Sequence, residues 1–510
     1  MKRSMIPAIL VVALTAMGSL VPAAATDPAC AGARQVEDPI SPPCAAPFTG
    51  DNGGATATGV TATEITVVLY SVLGIKGDLN LPYQPSDERR LSQVSYSEMN
   101  LVRTAKAQLR YFLQHFQTYG RTVHVVAFPA STGGCPLGEY DASTIISDIH
   151  PFAVLIDIDG FSLNCFRSAM SAAGVPTFGL DGLTKRSTYD SEAPFAWGVF
   201  PDLDTQTAYS ASFICRSLRG EPARLAGDPR LAVQTRKFGF IAPVDGVREE
   251  LQASANKLEA AVQDACGMTF DATATYNHQD ITAAGLREAP GIMQDFQTQG
   301  ITTIVCYCIP VLLEETVEWM QAAATALGYA PEWYWDSASF MDRSVWTRTS
   351  SNHAQHSFGV TYWNRQPAFH DQYHYRAYVS QEPGTSPNAR IDYALYGAFM
   401  ELFTAVQLTG PTLTAANMAT ALHAYAVRST DPFIGSGAYD DASTPQSFVD
   451  TAAAWVWDPT GVSPDGVPGC FRAADGGERF TAGTWPASDS FLGAAGDPCT
   501  NLEPWQLVDV

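Results

Sequence analysis

The sequence predicts an α/β protein made of two doubly wound parallel-sheet lobes, and three observations carry that expectation. Short apolar runs of strand length alternate with longer stretches of helical periodicity. The alternation occurs as two series, parted near Pro201. The strand runs are apolar at consecutive positions, as expected of parallel strands covered on both faces.

The first series opens with a strand at Ile65 to Tyr70. An irregular stretch to about Tyr96 follows, long enough to be a functional loop. Val102, Ala105, Leu109, Phe112, Leu113 and Phe116 share one helical face, and Gly120 stops that helix. Strands are predicted at Val123 to Phe128, Phe152 to Ile158 and Val175 to Leu180, with helices at Ala142 to Ile149 and Phe161 to Ala173 between them. The second series predicts strands at Phe238 to Ala242, Phe270 to Tyr276, Ile301 to Ile309, Trp333 to Asp336 and Phe358 to Trp363. Its helices run from Thr205 to Leu218, from Val247 to a stop at Gly267, from Ile292 to Thr298 and from Leu312 to Leu327. Beyond it, Phe369 to Val379, Ile391 to Leu408 and Thr414 to Ala426 read as helices, and Ser447 to Asp458 as strand. The remainder is rich in Gly, Pro, Asp and Trp and reads as a disulfide-tied tail.

The amino terminus reads as an export signal. Lys2 and Arg3 precede an apolar stretch from Ile6 to Leu20, and Ala23-Ala24-Ala25 offers a cleavage site before Thr26. The apolar run is shorter than the roughly 20 residues of a membrane span, so no direct membrane insertion is expected. With a net charge of −22 the chain repels phosphate backbones, and nucleic acid is excluded as a partner. Ten cysteines in an exported chain read first as disulfides. Cys30–Cys44, Cys135–Cys165 and Cys470–Cys499 are plausible local staples. Cys306 and Cys308 sit two apart in a predicted strand, where a bond between them requires distortion. The partners of Cys215, Cys266, Cys306 and Cys308 stay open. Cys30 follows Asp27-Pro28-Ala29, which is not a lipobox, so a periplasmic or freely secreted protein is expected.

Four stretches carry a family resemblance: Gly59-Val60-Thr61-Ala62-Thr63-Glu64-Ile65 entering the first strand, Gly174-Val175-Pro176-Thr177-Phe178, Phe195-Ala196-Trp197-Gly198-Val199-Phe200-Pro201-Asp202, and Tyr393-Ala394-Leu395-Tyr396-Gly397-Ala398. In this order and spacing the chain resembles the type I periplasmic binding proteins, specifically the branched-chain amino-acid (Leu/Ile/Val-type) solute-binding proteins of ABC transporters. The resemblance implies a three-crossover hinge. It divides the chain into a signal peptide (1–25), an N-terminal arm (26–62), lobe 1 (63–200 plus 364–432), lobe 2 (201–363 plus 433–460) and the tail (461–510). It also implies a small-molecule ligand in the interlobe cleft, an ABC permease as partner, and neither a cofactor nor catalysis. Cys135–Cys165 matches a bridge position of the family's first lobe.

The same resemblance supplies the candidate ligand contacts. Tyr70 and Ser71 end the first strand. Phe161-Ser162 and Phe178-Gly179-Leu180 stand where the family reads its ligand from lobe 1, with Leu180 replacing an expected hydroxyl. Asp204 follows the first crossover and has an alternative reading as the cap of the next helix. Asp245 is matched in the same way to the helix near Val247. Tyr307 and Pro310 end a strand facing the cleft, and Tyr307 has a packing alternative. Trp333, Trp335 and Asp336 approach the cleft mouth, although Trp is also core filler. The scarcity of donors argues against a free amino acid as ligand.

Two other functions stand beside this one. A secreted sensor or scavenger would use the same fold without a permease. A metal-dependent hydrolase would use His353, His356, His370 and His374, of which His370 and His374 fall one helical turn apart. Asp371 stands where such a motif needs Glu, and a polar surface helix is the plainer reading.

Overall fold

A computed structural model describes residues 30, 32–88, 100–131, 134–157, 163–179, 182, 184–244, 249–277, 281–282, 285–308, 316–344, 347, 352–389, 391–439, 446–493 and 497–502. The expected signal peptide lies outside the described residues, as do Phe161, Ser162, Leu180, Asp245 and Pro310.

The first sheet contains β1 (Glu64–Ser71), β2 (Gly77–Asp78), β3 (Thr122–Pro129), β4 (Ala153–Ile156), β5 (Thr177–Gly179) and β6 (Ala196–Gly198). Their spatial order is β2-β3-β1-β4-β5-β6. Every pair is parallel except the short edge strand β2 against β3. Strand β1 is covered on both faces, which is why its sequence is a continuous apolar run. Val67 and Leu69 pack towards α1 (Leu101–His115), joining Leu109 and Phe112. Val68 and Tyr70 pack the other way, towards α2 (Cys135–Asp148) and α3 (Leu163–Ala172), joining Ala142, Ile145, Phe166 and Met170.

After β6 the chain passes through α4 (Leu203–Phe213) into the second sheet. That sheet contains β7 (Phe238–Pro243), β8 (Ala272–Tyr276), β9 (Thr303–Cys306), β10 (Glu332–Trp335), β11 (Ser357–Thr361), β12 (Ala453–Val462), β13 (Pro468–Ala473) and β14 (Cys499–Thr500). The order is β14-β13-β12-β11-β10-β9-β7-β8. Strands β7 to β11 pair in parallel, and β12, β13 and β14 extend the sheet antiparallel. Helix α5 (Glu249–Cys266) covers one face with α4, burying Leu251, Leu258 and Val262 against Phe240, Val305 and Phe358. On the other face, α6 (Ala289–Gln299) and α7 (Thr316–Ala326) bury Met293, Phe296, Val317 and Met320 against Ile304 and Trp333. Gly300 closes α6 at φ 72°, a left-handed conformation that costs glycine nothing.

From β11 the chain returns to the first half as α8 (Tyr373–Gln381), α9 (Asp392–Thr409) and α10 (Ala415–His423). Helix α9 is apolar on nearly every side, and it is buried on nearly every side against α1, α8 and α10. A third connection, between α10 and β12, leads back to the second sheet. The N-terminal arm is tied down along its length. Tyr396 Oη donates to Asp38 at 3.0 Å, Gln407 Nε2 to Gln35 at 3.0 Å and Thr56 Oγ1 to the Leu413 carbonyl at 2.6 Å.

All ten cysteines are paired: Cys30–Cys44, Cys135–Cys165, Cys215–Cys266, Cys306–Cys308 and Cys470–Cys499. The Cys306–Cys308 bond settles a pairing that the sequence left open. Strand β9 ends at Cys306, so Cys308 is not held in an extended ladder, and the two Cα atoms lie 5.1 Å apart. The tail does more than close on itself. It adds β13 and β14 to the second sheet and buries Trp485 beside Phe213. Asp489 pairs at 2.6 Å with Arg236, which also pairs with Glu332 at the start of β10.

Candidate functional site

The two halves repeat one topology. Without the short edge strand, the first sheet runs β3-β1-β4-β5-β6, and the parallel part of the second runs β8-β7-β9-β10-β11. Numbered within each half, both read 2-1-3-4-5. In such sheets the chain leaves in opposite directions from strands 1 and 3, opening a crevice at their carboxyl ends. The two switch points are β1/β4 and β7/β9, and the site is sought there.

At the first switch point, Ser71 Oγ donates to Asp157 Oδ2 at 2.5 Å and accepts the Ile75 amide at 3.0 Å. The other Asp157 oxygen accepts the Val72 amide at 2.9 Å. Serine and carboxylate thus fix the turn that leaves β1. Tyr70 points away from them. Its ring stacks on Phe166 with centroids 3.7 Å apart, and its hydroxyl donates to Asp141 at 2.8 Å. Burial and that carboxylate push the phenol above its ordinary range. Phe178 is fully buried in the core, and Gly179 ends β5 against Ile156.

At the second switch point, Tyr307 follows β9 and packs edge-on to Phe240 between sheet and helix. Its carbonyl accepts the Tyr276 hydroxyl at 2.8 Å. Burial and the neighbouring Asp336 carboxylate push the Tyr307 phenol well above its usual range, and burial pushes Asp336 itself upward. Asp336 opens a run of short polar residues. Ser339 Oγ reaches the Cys306 carbonyl at 3.2 Å, and Asp342 accepts from Ser337 at 2.9 Å and Thr361 at 2.6 Å. Burial pushes the Asp342 carboxyl up to about 6. The run links the carboxyl ends of β9, β10 and β11.

The first connection carries a third polar group. Asp202 caps α4 by accepting the Thr205 amide at 2.9 Å, and it pairs with Arg186 at 2.7 Å. The capping role considered for Asp204 thus belongs to Asp202, two residues earlier. Asp204 lies in the first helical turn, accepts the Arg186 amide at 2.9 Å and pairs with Lys257. Burial raises its pKa, but Lys257 and the Arg186 amide more than offset that and hold it below the usual carboxylate range. Gln206 Nε2 donates to the carbonyls of Gly182 at 2.6 Å and Pro201 at 2.8 Å.

The structure therefore gathers Ser71 with Asp157, and Tyr307 with Asp336, at the strand ends. It sends Tyr70 and Phe178 into the first half's core. Trp333 and Trp335 are fully buried and stacked 5.7 Å apart, donating to His353 and Ser357, so they fill the core and form no cleft wall. Sequence reasoning passed over Asp202, Gln206, Ser337, Ser339 and Asp342. The dense short polar residues directly after the Trp-Tyr-Trp strand were the available signal. The hydroxyls and buried carboxylates at these strand ends suit hydrogen bonding to a polar solute.

The histidine constellation does not form. His370 lies in a 3-10 turn at Phe369–Asp371, and Gln372 is extended before α8 begins at Tyr373. His370 and His374 thus share no helix face. His374 sits between Asp392 at 2.8 Å and Gln372 at 2.5 Å. His353 faces Trp333 and Thr325, and His356 the Leu225 carbonyl.

No family model matches the chain, and no curated protein matches it. Solved structures do match its fold. An ABC-transporter solute-binding protein of Rhodopseudomonas palustris BisB5, in complex with 3,4-dihydroxybenzoic acid, is 12% identical with a TM-score of 0.51; the match covers 82% of this chain and 98% of that one. One from R. palustris HaA2, in complex with p-hydroxybenzoic acid, is 12% identical with a TM-score of 0.52, covering 82% and 97%. A third from R. palustris, in complex with 4-hydroxybenzoate, has the same identity and TM-score, covering 83% and 98%. Twin switch-point sheets, three connections and these likenesses together give the chain the two-lobed fold of the type I periplasmic binding proteins.

Proposed function

We propose that the protein is an extracytoplasmic solute-binding protein that captures a small molecule between its two halves without chemically altering it. The observation that carries this reading is the pairing of two 2-1-3-4-5 sheets, each with buried hydroxyl and carboxylate groups at the carboxyl ends of its strands. Closure of the halves about the three connections would sequester the solute from water. An ABC permease is the proposed recipient, in keeping with the transporters to which the structurally similar proteins belong. Export to the periplasm or medium is supported by the N-terminal charge and apolar pattern and by five disulfides.

The test is a thermal-shift screen of amino acids, sugars, and aromatic and aliphatic carboxylates, 4-hydroxybenzoate among them, followed by calorimetry and product analysis. The reading expects one-to-one binding of a metabolite recovered unchanged. Conversion of that metabolite, or stabilisation by none of these classes, would overturn it.

A further inference from the structure

A concave space lies apart from the crevice groups. A cavity of about 530 Å³ is lined by the arm at Asp38–Ile40, by α8 and α9, and by all three connections: Val199 and Phe200 from the first, Asn364 from the second, Phe448 from the third. Tyr70, Ser71, Asp157, Asp204, Tyr307 and Asp336 take no part in its walls. Its volume is within the range of small-molecule sites.

The polar groups of the cavity are unevenly satisfied. Its basic side chains are already engaged. Arg376 pairs with Glu37 at 2.8 Å and lies over the Tyr373 ring, and both ring nitrogens of His374 have partners. Acceptors are in surplus. Glu401 is 6% exposed, and its Oε1 accepts the Tyr439 hydroxyl at 2.6 Å, but its Oε2 has no partner of hydrogen-bonding geometry. The buried Oδ1 of Asn364 has none either. Asp38 adds a second buried carboxylate, held by Tyr396 and the Ile40 amide. A buried acceptor without a donor costs free energy that a donating ligand recovers. Tyr393, Tyr396, Tyr425 and Tyr439 give the walls aromatic faces, which attract cations, and a chain of net charge −22 draws cations towards it.

We propose that this cavity behind the three connections is a second small-molecule site, and that it takes an organic ammonium ion: a primary amine on an aromatic or alicyclic body, its N–H groups donating to Asn364 and to Glu401, whose carboxyl gives up its proton to solvent as the cation enters. The site is independent of the crevice ligand. Because every connection contributes to its walls, an occupant is placed to bias how the halves open and close.

The test uses phenethylamine and tyramine against the neutral isostere 2-phenylethanol and the anion phenylacetate, with the full oxidised chain. Calorimetry is expected to give one site for an amine, with the alcohol weaker by about tenfold or more and the anion not binding. Hydrogen exchange is expected to slow over 392–404 and 433–439. Glu401→Gln is expected to weaken the amine at least as much as the amine-to-alcohol change does, and to leave alcohol binding as it was. Equal affinity for amine and alcohol would overturn the proposal, as would binding of neither amine. Amine protection confined to 71–75 and 335–342 would do the same, since it would place the amine in the crevice. The exchange and isostere measurements use the wild-type chain and decide the matter even if Glu401→Gln does not fold.

Discussion

Glu401 gives the sharpest prediction about stability. Burial on α9 pushes its carboxyl up to about 8, from an ordinary 4.5, while the Tyr439 hydroxyl, Arg167 and the Gly179 backbone pull it down. The native state therefore keeps a proton that the unfolded chain has already released. Through the window between those two values the unfolded state binds fewer protons, so stability falls as pH rises, by about 1.4 kcal/mol for each unit. Below the window both states are protonated, and above it both are ionised, so the effect is flat at either end. Across the whole window the loss is several kcal/mol, a large part of the stability of a typical domain. Glu401→Gln keeps the shape and the acceptor for Tyr439 but cannot titrate. Urea unfolding of both proteins at about pH 5, 6, 7 and 8 isolates this group, because the other titrating groups cancel in the difference. Wild type is expected to lose stability relative to the variant steadily with rising pH. A difference independent of pH would refute the reasoning, because it would mean that Glu401 is ionised in the native state throughout.

Three further outcomes are expected. Arg236→Met leaves Glu332 as a buried carboxylate without a cation and Asp489 with Arg224 alone, and should destabilise the protein by about 3–5 kcal/mol in denaturant unfolding; a change near zero would mean that the tail is not anchored there. Ser71→Ala removes the donor to Asp157 and the acceptor for the Ile75 amide, and should cost about 1–3 kcal/mol; it should also weaken the solute found by screening, read by calorimetry. Peptide mapping without reduction should recover the five pairings, including Cys306–Cys308 within one peptide, and thiol titration should find no free cysteine.

The legible part of the fold was the part that periodicity encodes. The stripe from Val102 to Phe116 became α1, and the apolar run at Ile65 became β1, because burial alone decides such elements. Strand β6 is three residues long, too short for any pattern, and it read only as a passage between halves. The antiparallel strands β13 and β14 were hidden by the glycine- and proline-rich composition of the tail. The candidate site was less legible for a related reason. A strand buried on both faces has no polar alternation, so nothing in Leu69-Tyr70-Ser71 tells which side chain enters the core. Tyr70 went to Phe166 and Asp141, while Ser71 stayed at the turn. The cap on α4 fell on Asp202 because two aspartates stand close together and only backbone geometry chooses between them. His370 and His374 lost their shared face to a single extended residue, Gln372.

The central claim is capture of a solute by closure of two halves. Small-angle scattering of the oxidised protein, with and without a saturating solute from the screen, tests it most directly. The account predicts a smaller radius of gyration on saturation, unchanged in mass and reversed when the solute is dialysed away. An unchanged radius at full occupancy would contradict it.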